Sequence, residues 1–130
     1  MTTASVKQPA IFIPHGGGPC FFMDWNPPDT WKKMEAYLAS LAGSLPAKPK
    51  AMIVISAHWE EKEFTVSTNP APEMIYDYHG FPDHTFQIEW NAPHDAALAQ
   101  KTLQLIRAAG IPVREDKTRG YDHGVFIPLK

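Results

Sequence analysis

Ala51-Met52-Ile53-Val54-Ile55-Ser56-Ala57-His58-Trp59 is the stretch on which the reading of this chain turns. It carries three consecutive β-branched residues, Ile53, Val54 and Ile55, with Pro49 before it and Glu60, Glu61, Lys62 and Glu63 after it. A continuous apolar run of this length, bounded by turn and charge signals, predicts a strand over 51–57 buried on both faces. The run ends in a small residue, a histidine and a tryptophan. Ligands of open α/β sheets sit at the carboxyl ends of the strands, so His58 stands where a reactive group belongs. An earlier stretch repeats the design: Ala10-Ile11-Phe12-Ile13-Pro14-His15 predicts a first strand over 10–14 that delivers His15 into Gly16-Gly17-Gly18-Pro19.

A helix fits between the two strands. Asp29 or Thr30 can cap it, its apolar positions are Trp31, Met34, Tyr37, Leu38 and Leu41, and Gly43 and Pro46 are expected to end it. The result is a βαβ unit, whose strands run parallel. Both carboxyl ends then lie on one edge, with adjacent strands about 4.8 Å apart and next-but-one strands about 10 Å apart. Either spacing lets His15 and His58 share one ion at metal–nitrogen distances of about 2.0–2.1 Å.

The rest of the chain continues the alternation. Phe64 to Thr68 reads as a short strand, 70–85 as a long loop, and Phe86 to Trp90 as another short strand. Asn91 to Asp95 supply cap and first-turn residues for a helix running to Ala109 and closed by Gly110. Ile111 to Arg114 reads as a strand, and a polar turn over 115–120 delivers Tyr121-Asp122-His123-Gly124. The expected architecture is a three-layer α/β domain over 1–130 with a mixed or largely parallel central sheet and flanking helices. The end of the chain, Gly124-Val125-Phe126-Ile127-Pro128-Leu129-Lys130, is apolar with no turn or polar tail. It reads as the amino-terminal part of a longer catalytic domain.

Composition narrows the functional classes. At 130 residues with 44% hydrophobic and 12% aromatic content, the chain is suited to a packed core and not to disorder. A net charge of −2, with scattered Lys and Arg, offers no electrostatic footprint for nucleic acid or an anionic membrane. No apolar run approaches the roughly 20 residues of a membrane span, and Met1 to Lys7 lack the apolar core of a leader. The single Cys20 excludes an intrachain disulfide and fits a reducing, cytoplasmic setting.

The chemistry concentrates in the histidines. Neutral imidazole is the commonest protein metal ligand, and His15 and His58 form the candidate metal pair. A catalytic metal normally has a third protein ligand with open positions beside it. Asp77, His79, His84 and Asp122 are the candidates within the chain; otherwise the ligand lies beyond Lys130. Asp122-His123-Gly124 suits a general acid/base, since glycine permits close substrate approach and imidazole exchanges protons near neutral pH. The His15 glycine run could also serve as an esterase oxyanion loop, but the required Gly-x-Ser-x-Gly elbow is absent. It lacks the Lys-Ser/Thr of a phosphate-binding loop as well. A zinc hydrolase built on the same pair, and a metal-binding domain without activity, remain as alternatives.

Taken together, Pro14-His15-Gly16-Gly17-Gly18-Pro19, Ile55-Ser56-Ala57-His58-Trp59, Tyr76-Asp77-Tyr78-His79-Gly80-Phe81-Pro82 and Gly120-Tyr121-Asp122-His123-Gly124 through Leu129 resemble, in that order, the class III extradiol ring-cleaving dioxygenases. The DOPA 4,5-dioxygenase-like branch is the one the motifs resemble most. The resemblance implies a non-haem Fe(II) enzyme, sometimes holding Zn(II), that opens catecholic rings with O2. It implies His15 and His58 as metal ligands, His123 as the acid/base, and a third ligand in a carboxyl-terminal part outside this sequence. Phe21, Trp25, Trp59 and His79 are then the substrate-facing candidates, the aromatic ones as a wall for a planar ring. Tyr121 stands where the family more often has an aliphatic residue. A catechol and O2 are the expected partners, with a homo-oligomer as a further expectation.

Overall fold

A computed structural model of the chain describes residues 5–130. The first four residues of the amino-terminal stretch read above for a leader lie outside it. Helix α1 spans Lys32–Ser44, strand β1 Phe64–Ser67, strand β2 Met74–Ile75, helix α2 Ala96–Ala108, strand β3 Val113–Asp116, strand β4 Tyr121–Asp122 and helix α3 His123–Leu129, with short 3-10 helices at Cys20–Phe22 and Asp83–Gln87. Helices alternate with parallel strands, so the class is α/β.

The strands form two separate parallel pairs. β1 runs beside β3 with Phe64 opposite Val113 and Ser67 opposite Asp116. β2 runs beside β4 with Met74 opposite Tyr121 and Ile75 opposite Asp122. A parallel pair requires a crossover of a dozen or more residues, and α2 supplies it for β1 and β3, packing on both. Its start follows the sequence reading: Asp95 is the cap, and its carboxylate accepts from Leu98 N–H at 2.9 Å. Ala99 and Leu103 are the buried side chains of its apolar stripe.

Three local expectations are corrected. α1 starts after Trp31 with no side-chain cap, so neither Asp29 nor Thr30 caps it, and it runs through Gly43 to Ser44 before Pro46 stops it. A glycine inside a helix costs only about 1 kcal/mol against alanine, too little to stop it a residue early. Phe86 falls in a 3-10 turn rather than a strand, because Thr85 N–H and Oγ1 both bond to Pro82 O and close the chain locally. The stretches 10–14 and 51–57 carry no strand ladder. A strand is defined by its partner, and among the described residues neither stretch has a ladder partner. Phe12 is therefore 98% exposed and Ile55 93%. Met52, Ile53 and Val54 line an open groove together with Leu98 and Ile106 of α2.

The core sits elsewhere, around the last helix. Phe126 and Ile127 of α3 pack with Cys20 and Ile88, ringed by Phe21, Phe22, Trp25, Trp31, Tyr76, Tyr78, Trp90 and Tyr121. The apolar end of the chain is thus the most deeply held element. Full burial of side chains such as Phe126 is worth roughly 1.5–3 kcal/mol each. That anchoring fixes the position of His123, the first residue of α3. Among the described residues no helix is long and apolar enough to cross a membrane.

The apolar face left over 51–55 and at Phe12 has a measurable consequence. Soluble monomers rarely leave contiguous apolar patches of this kind in water. The 130-residue chain is expected to self-associate at tens of micromolar. Ile55→Ser combined with Phe12→Ser should shift it toward monomer in sedimentation velocity without loss of helical signal. A wild-type chain that sediments as a single monomer would contradict this.

Candidate metal centre

The site is assembled where β4 ends and the two unpaired apolar stretches turn. Because β2 and β4 are parallel and Ile75 pairs with Asp122, the residues just past both carboxyl ends come to one edge. Asp77 and His123 meet there. Asp77 Oδ1 accepts from the His123 backbone N–H at 2.9 Å and bonds His123 Nδ1 at 2.6 Å. His123 itself is 6% exposed.

His58 is held from its backbone. Its N–H donates to Ser56 Oγ at 3.1 Å, and Ser56 Oγ donates to Asp122 Oδ1 at 2.8 Å. Asp122 is 2% exposed, and a carboxylate so buried requires a counter-charge. Arg119 provides it, with Nη2 at 3.0 Å from Oδ2. Arg119 is aimed by the preceding turn, where Asp116 Oδ1 accepts from the N–H of Thr118 and of Arg119 at 2.8 and 2.9 Å. Those bonds, led by the one from Thr118, keep the Asp116 carboxyl below its ordinary range. The Arg119 guanidinium also lies 5.1 Å from the centre of the Trp59 ring.

Two glycines permit the approach. Gly16 has φ 75°, a conformation that lets the chain turn away directly after His15. At Gly124 an added Cβ would lie 2.6 Å from His58 Cδ2 and 3.0 Å from Asp122 Oδ1, so only glycine lets α3 start against His58.

The outcome is a triangle of imidazoles. His15 Nε2 and His58 Nε2 are 2.9 Å apart. The His123 ring lies with its centroid 4.2 Å from that of His58 and 5.5 Å from that of His15. One ligating atom from each of the three can be chosen so that all lie within 4.8 Å of one another. Two nitrogens at about 2.0–2.1 Å from one ion and at right angles are about 2.9 Å apart, whereas tetrahedral angles spread them to about 3.4 Å. The His15–His58 spacing is also that of a hydrogen bond between neutral rings. Burial, helped by the neighbouring His58 and His123, lowers the His15 pKa and favours its neutral, ligating form. His15 Nδ1 is buried without a hydrogen-bond partner. The donor set fits a metal ion.

The other candidates go elsewhere. His84 Nε2 bonds to Phe22 O at 2.8 Å, and Asp122 is occupied by Ser56 and Arg119. Asp77 serves the His123 ring, and the cluster of ligand atoms among the described residues is His15, His58 and His123, so none of the four joins the His15–His58 pair. Phe21 and Trp25 pack on the core, and Trp25 Nε1 donates to Cys20 O at 2.7 Å. Trp59 donates to Glu61 Oε1 at 3.1 Å beside His58. Sequence reasoning missed the Asp77–His123 pair and the Ser56–Asp122–Arg119 chain. The signal was available for the first: Asp77 follows a short β-prone run, the place where a parallel strand presents its end.

Comparison with known proteins places this arrangement. Residues 9–130 match the family model described as the catalytic LigB subunit of aromatic ring-opening dioxygenase. The chain is 37% identical over 126 residues to a 4,5-DOPA dioxygenase extradiol of Beta vulgaris, an alignment covering 96% of this chain and 45% of that protein. It is 35% identical over 122 residues to the protein of the same description from Escherichia coli, covering 93% and 41%. With the dioxygenase tasH of Hapsidospora irregularis it shares 35% over 131 residues, covering 93% and 39%. The chain therefore spans about two-fifths of the length of these curated relatives. The match across nearly all of its residues, together with the histidine triangle, makes this chain a member of the aromatic ring-opening dioxygenase family of the LigB catalytic subunit.

Proposed function

We propose that the chain is the amino-terminal portion of an extradiol dioxygenase that opens a catecholic ring with O2, DOPA being the catechol its relatives' descriptions point to. The observation carrying this reading is the convergence of His15, His58 and His123 at the carboxyl edge of β4, with two nitrogens at the spacing of adjacent ligands on one ion. Fe(II) is the metal proposed, with His15 and His58 as its ligands. Fe(II) is what the dioxygenase reading calls for, and a 2.9 Å spacing accommodates ligands at right angles on one ion. When bound, the metal supplies open positions for the catecholate oxygens and O2 and acidifies the bound hydroxyls.

The chain's own residues supply the rest. His123 takes a hydroxyl proton as the ring binds and returns it as the ring opens. Trp59, next to His58 in sequence, and Phe21, against the Gly16 turn that follows His15, are proposed as apolar surfaces for a planar ring. Trp25, packed with Phe21 on the core cluster, is proposed to extend that surface, and exposed His79 is the candidate contact for polar substituents. The part of the relatives' length that lies outside this match is proposed to complete the catalytic domain, including a third metal ligand and a cover for the 51–55 face. A cytoplasmic setting and a homo-oligomer of the whole protein are proposed with it.

The test is direct. Fe(II) loaded under nitrogen, followed by DOPA and air-saturated buffer, should yield a yellow ring-opened product from the whole protein with one O2 consumed per ring. The 130-residue chain should show metal binding and no sustained turnover. Steady turnover by the short chain would place all three ligands within it, and no O2 uptake by the whole protein would remove the dioxygenase reading.

A further inference from the structure

The Asp77–His123 contact is the one polar contact of the site whose chemistry leaves a single solution. An ionised carboxylate only accepts hydrogen bonds. Burial alone would raise the Asp77 carboxyl, but the bonds from the His123 backbone and ring outweigh it and hold Asp77 below the ordinary carboxylate range. Its Oδ1 receives the His123 backbone N–H at 2.9 Å and faces Nδ1 at 2.6 Å, a close hydrogen bond. Nδ1 must then carry the proton. The same oxygen grips both the backbone and the ring of one residue, so it fixes the ring's rotation as well as its tautomer. No other carboxylate competes, because both oxygens of Asp122 are taken by Ser56 and Arg119. The Tyr78 ring stands edge-on to the imidazole at 5.6 Å and closes another side.

We propose that Asp77 is the positioning residue for His123: it holds the ring in the Nδ1–H tautomer, so that Nε2 presents its lone pair as the proton acceptor of the site. The direction of proton transfer rests on the dioxygenase reading above; the tautomer does not. A proton leaving a substrate hydroxyl is received at Nε2, while the Nδ1–H stays with His123 and keeps its bond to the carboxylate. The imidazolium so formed is stabilised by the adjacent negative charge. Asp77 touches neither substrate nor metal and acts only through His123.

The decisive measurement is a long-range ¹H–¹⁵N spectrum of the imidazoles in the metal-free, ¹⁵N-labelled 130-residue chain near neutral pH. His123 is expected in the Nδ1–H form, and Asp77→Ala should return it to a mixture dominated by Nε2–H. Asp77→Asn keeps an acceptor oxygen and should restore the Nδ1–H pattern, a rescue that a merely space-filling role would not produce. A wild-type His123 in the Nε2–H form overturns the proposal, even if Asp77→Ala does not fold. So does a folded Asp77→Ala chain with unchanged His123 signals. In the whole protein Asp77→Asn should lower kcat by roughly 10–100-fold, the scale of an outer partner's loss, with metal content and KM unchanged. If the wild-type protein turns nothing over while the tautomer result stands, the dioxygenase reading has failed and the positioning role has not.

Discussion

His58→Ala should weaken Zn(II) or Fe(II) binding to the 130-residue chain by well over the roughly 10–100-fold that loss of an outer-shell partner costs, because, with His58 a proposed ligand, it would remove a direct bond to the ion. His15→Ala should do the same. The two nitrogens lie 2.9 Å apart, and removing either leaves one imidazole that no longer chelates with its neighbour. The fold should survive His58→Ala, since that side chain is exposed and belongs to no core cluster. His84→Ala is the control: that ring bonds to the Phe22 carbonyl away from the pair, so its loss should leave the affinity within about twofold. Competition against a chromophoric chelator under nitrogen reads all three. Equal losses for His84→Ala and His58→Ala would dissolve the site into nonspecific binding by surface histidines.

How the sequence foretold this site, and where it did not, follows from which forces act locally. α2 was legible because its cap and its apolar stripe are both local: Asp95 bonds Leu98 N–H, and Ala99 and Leu103 fall on the buried face. His15 and His58 were legible as a pair because each follows an apolar run into glycine or small residues, a pattern that owes nothing to distant contacts. The strands themselves were not. Ile53 to Ile55 have every intrinsic mark of a buried strand, but burial is a property of the neighbour as much as of the segment, and here the neighbour is absent among the described residues. At the chain's end the sequence showed an apolar run but not its place, and Phe126 and Ile127 form the anchor of the core.

The polar network was hidden for a different reason. Ser56 reaches Asp122 across 66 positions of sequence, and Asp77 reaches His123 across 46. Hydrogen bonds at that separation leave no periodic trace. What the sequence does carry is a physical constraint on one residue: an added Cβ at Gly124 would collide with His58, so the glycine beside a histidine signalled close approach without naming the partner. Asp77 was weighed as a metal ligand because carboxylates and histidines share that role. The 2.6 Å bond to Nδ1 assigns it to the imidazole instead.

That assignment shapes the largest kinetic effect. His123→Ala in the Fe(II)-loaded whole protein should keep the metal and lower turnover by roughly 10²–10⁴, the usual range for loss of a positioned proton carrier. The reasoning begins with the triangle, in which His123 stands close enough to serve either as a third ligand or as the acid/base. As a ligand it would share the ion with the other two, and its loss would strip metal and activity together, as His58→Ala does. As the acid/base it leaves the ion bound. The tie of the His123 ring to Asp77, at the start of a buried helix, fits the second role, while the His15 and His58 nitrogens stand 2.9 Å apart. The backbone N–H of residue 123 still has Asp77 as its acceptor after the substitution, so α3 keeps its start and the core its anchor. Metal analysis and turnover on the same preparation separate the cases. Activity lost with metal retained fixes His123 as the proton carrier, and metal lost with activity moves it into the coordination sphere and leaves the proton to another group.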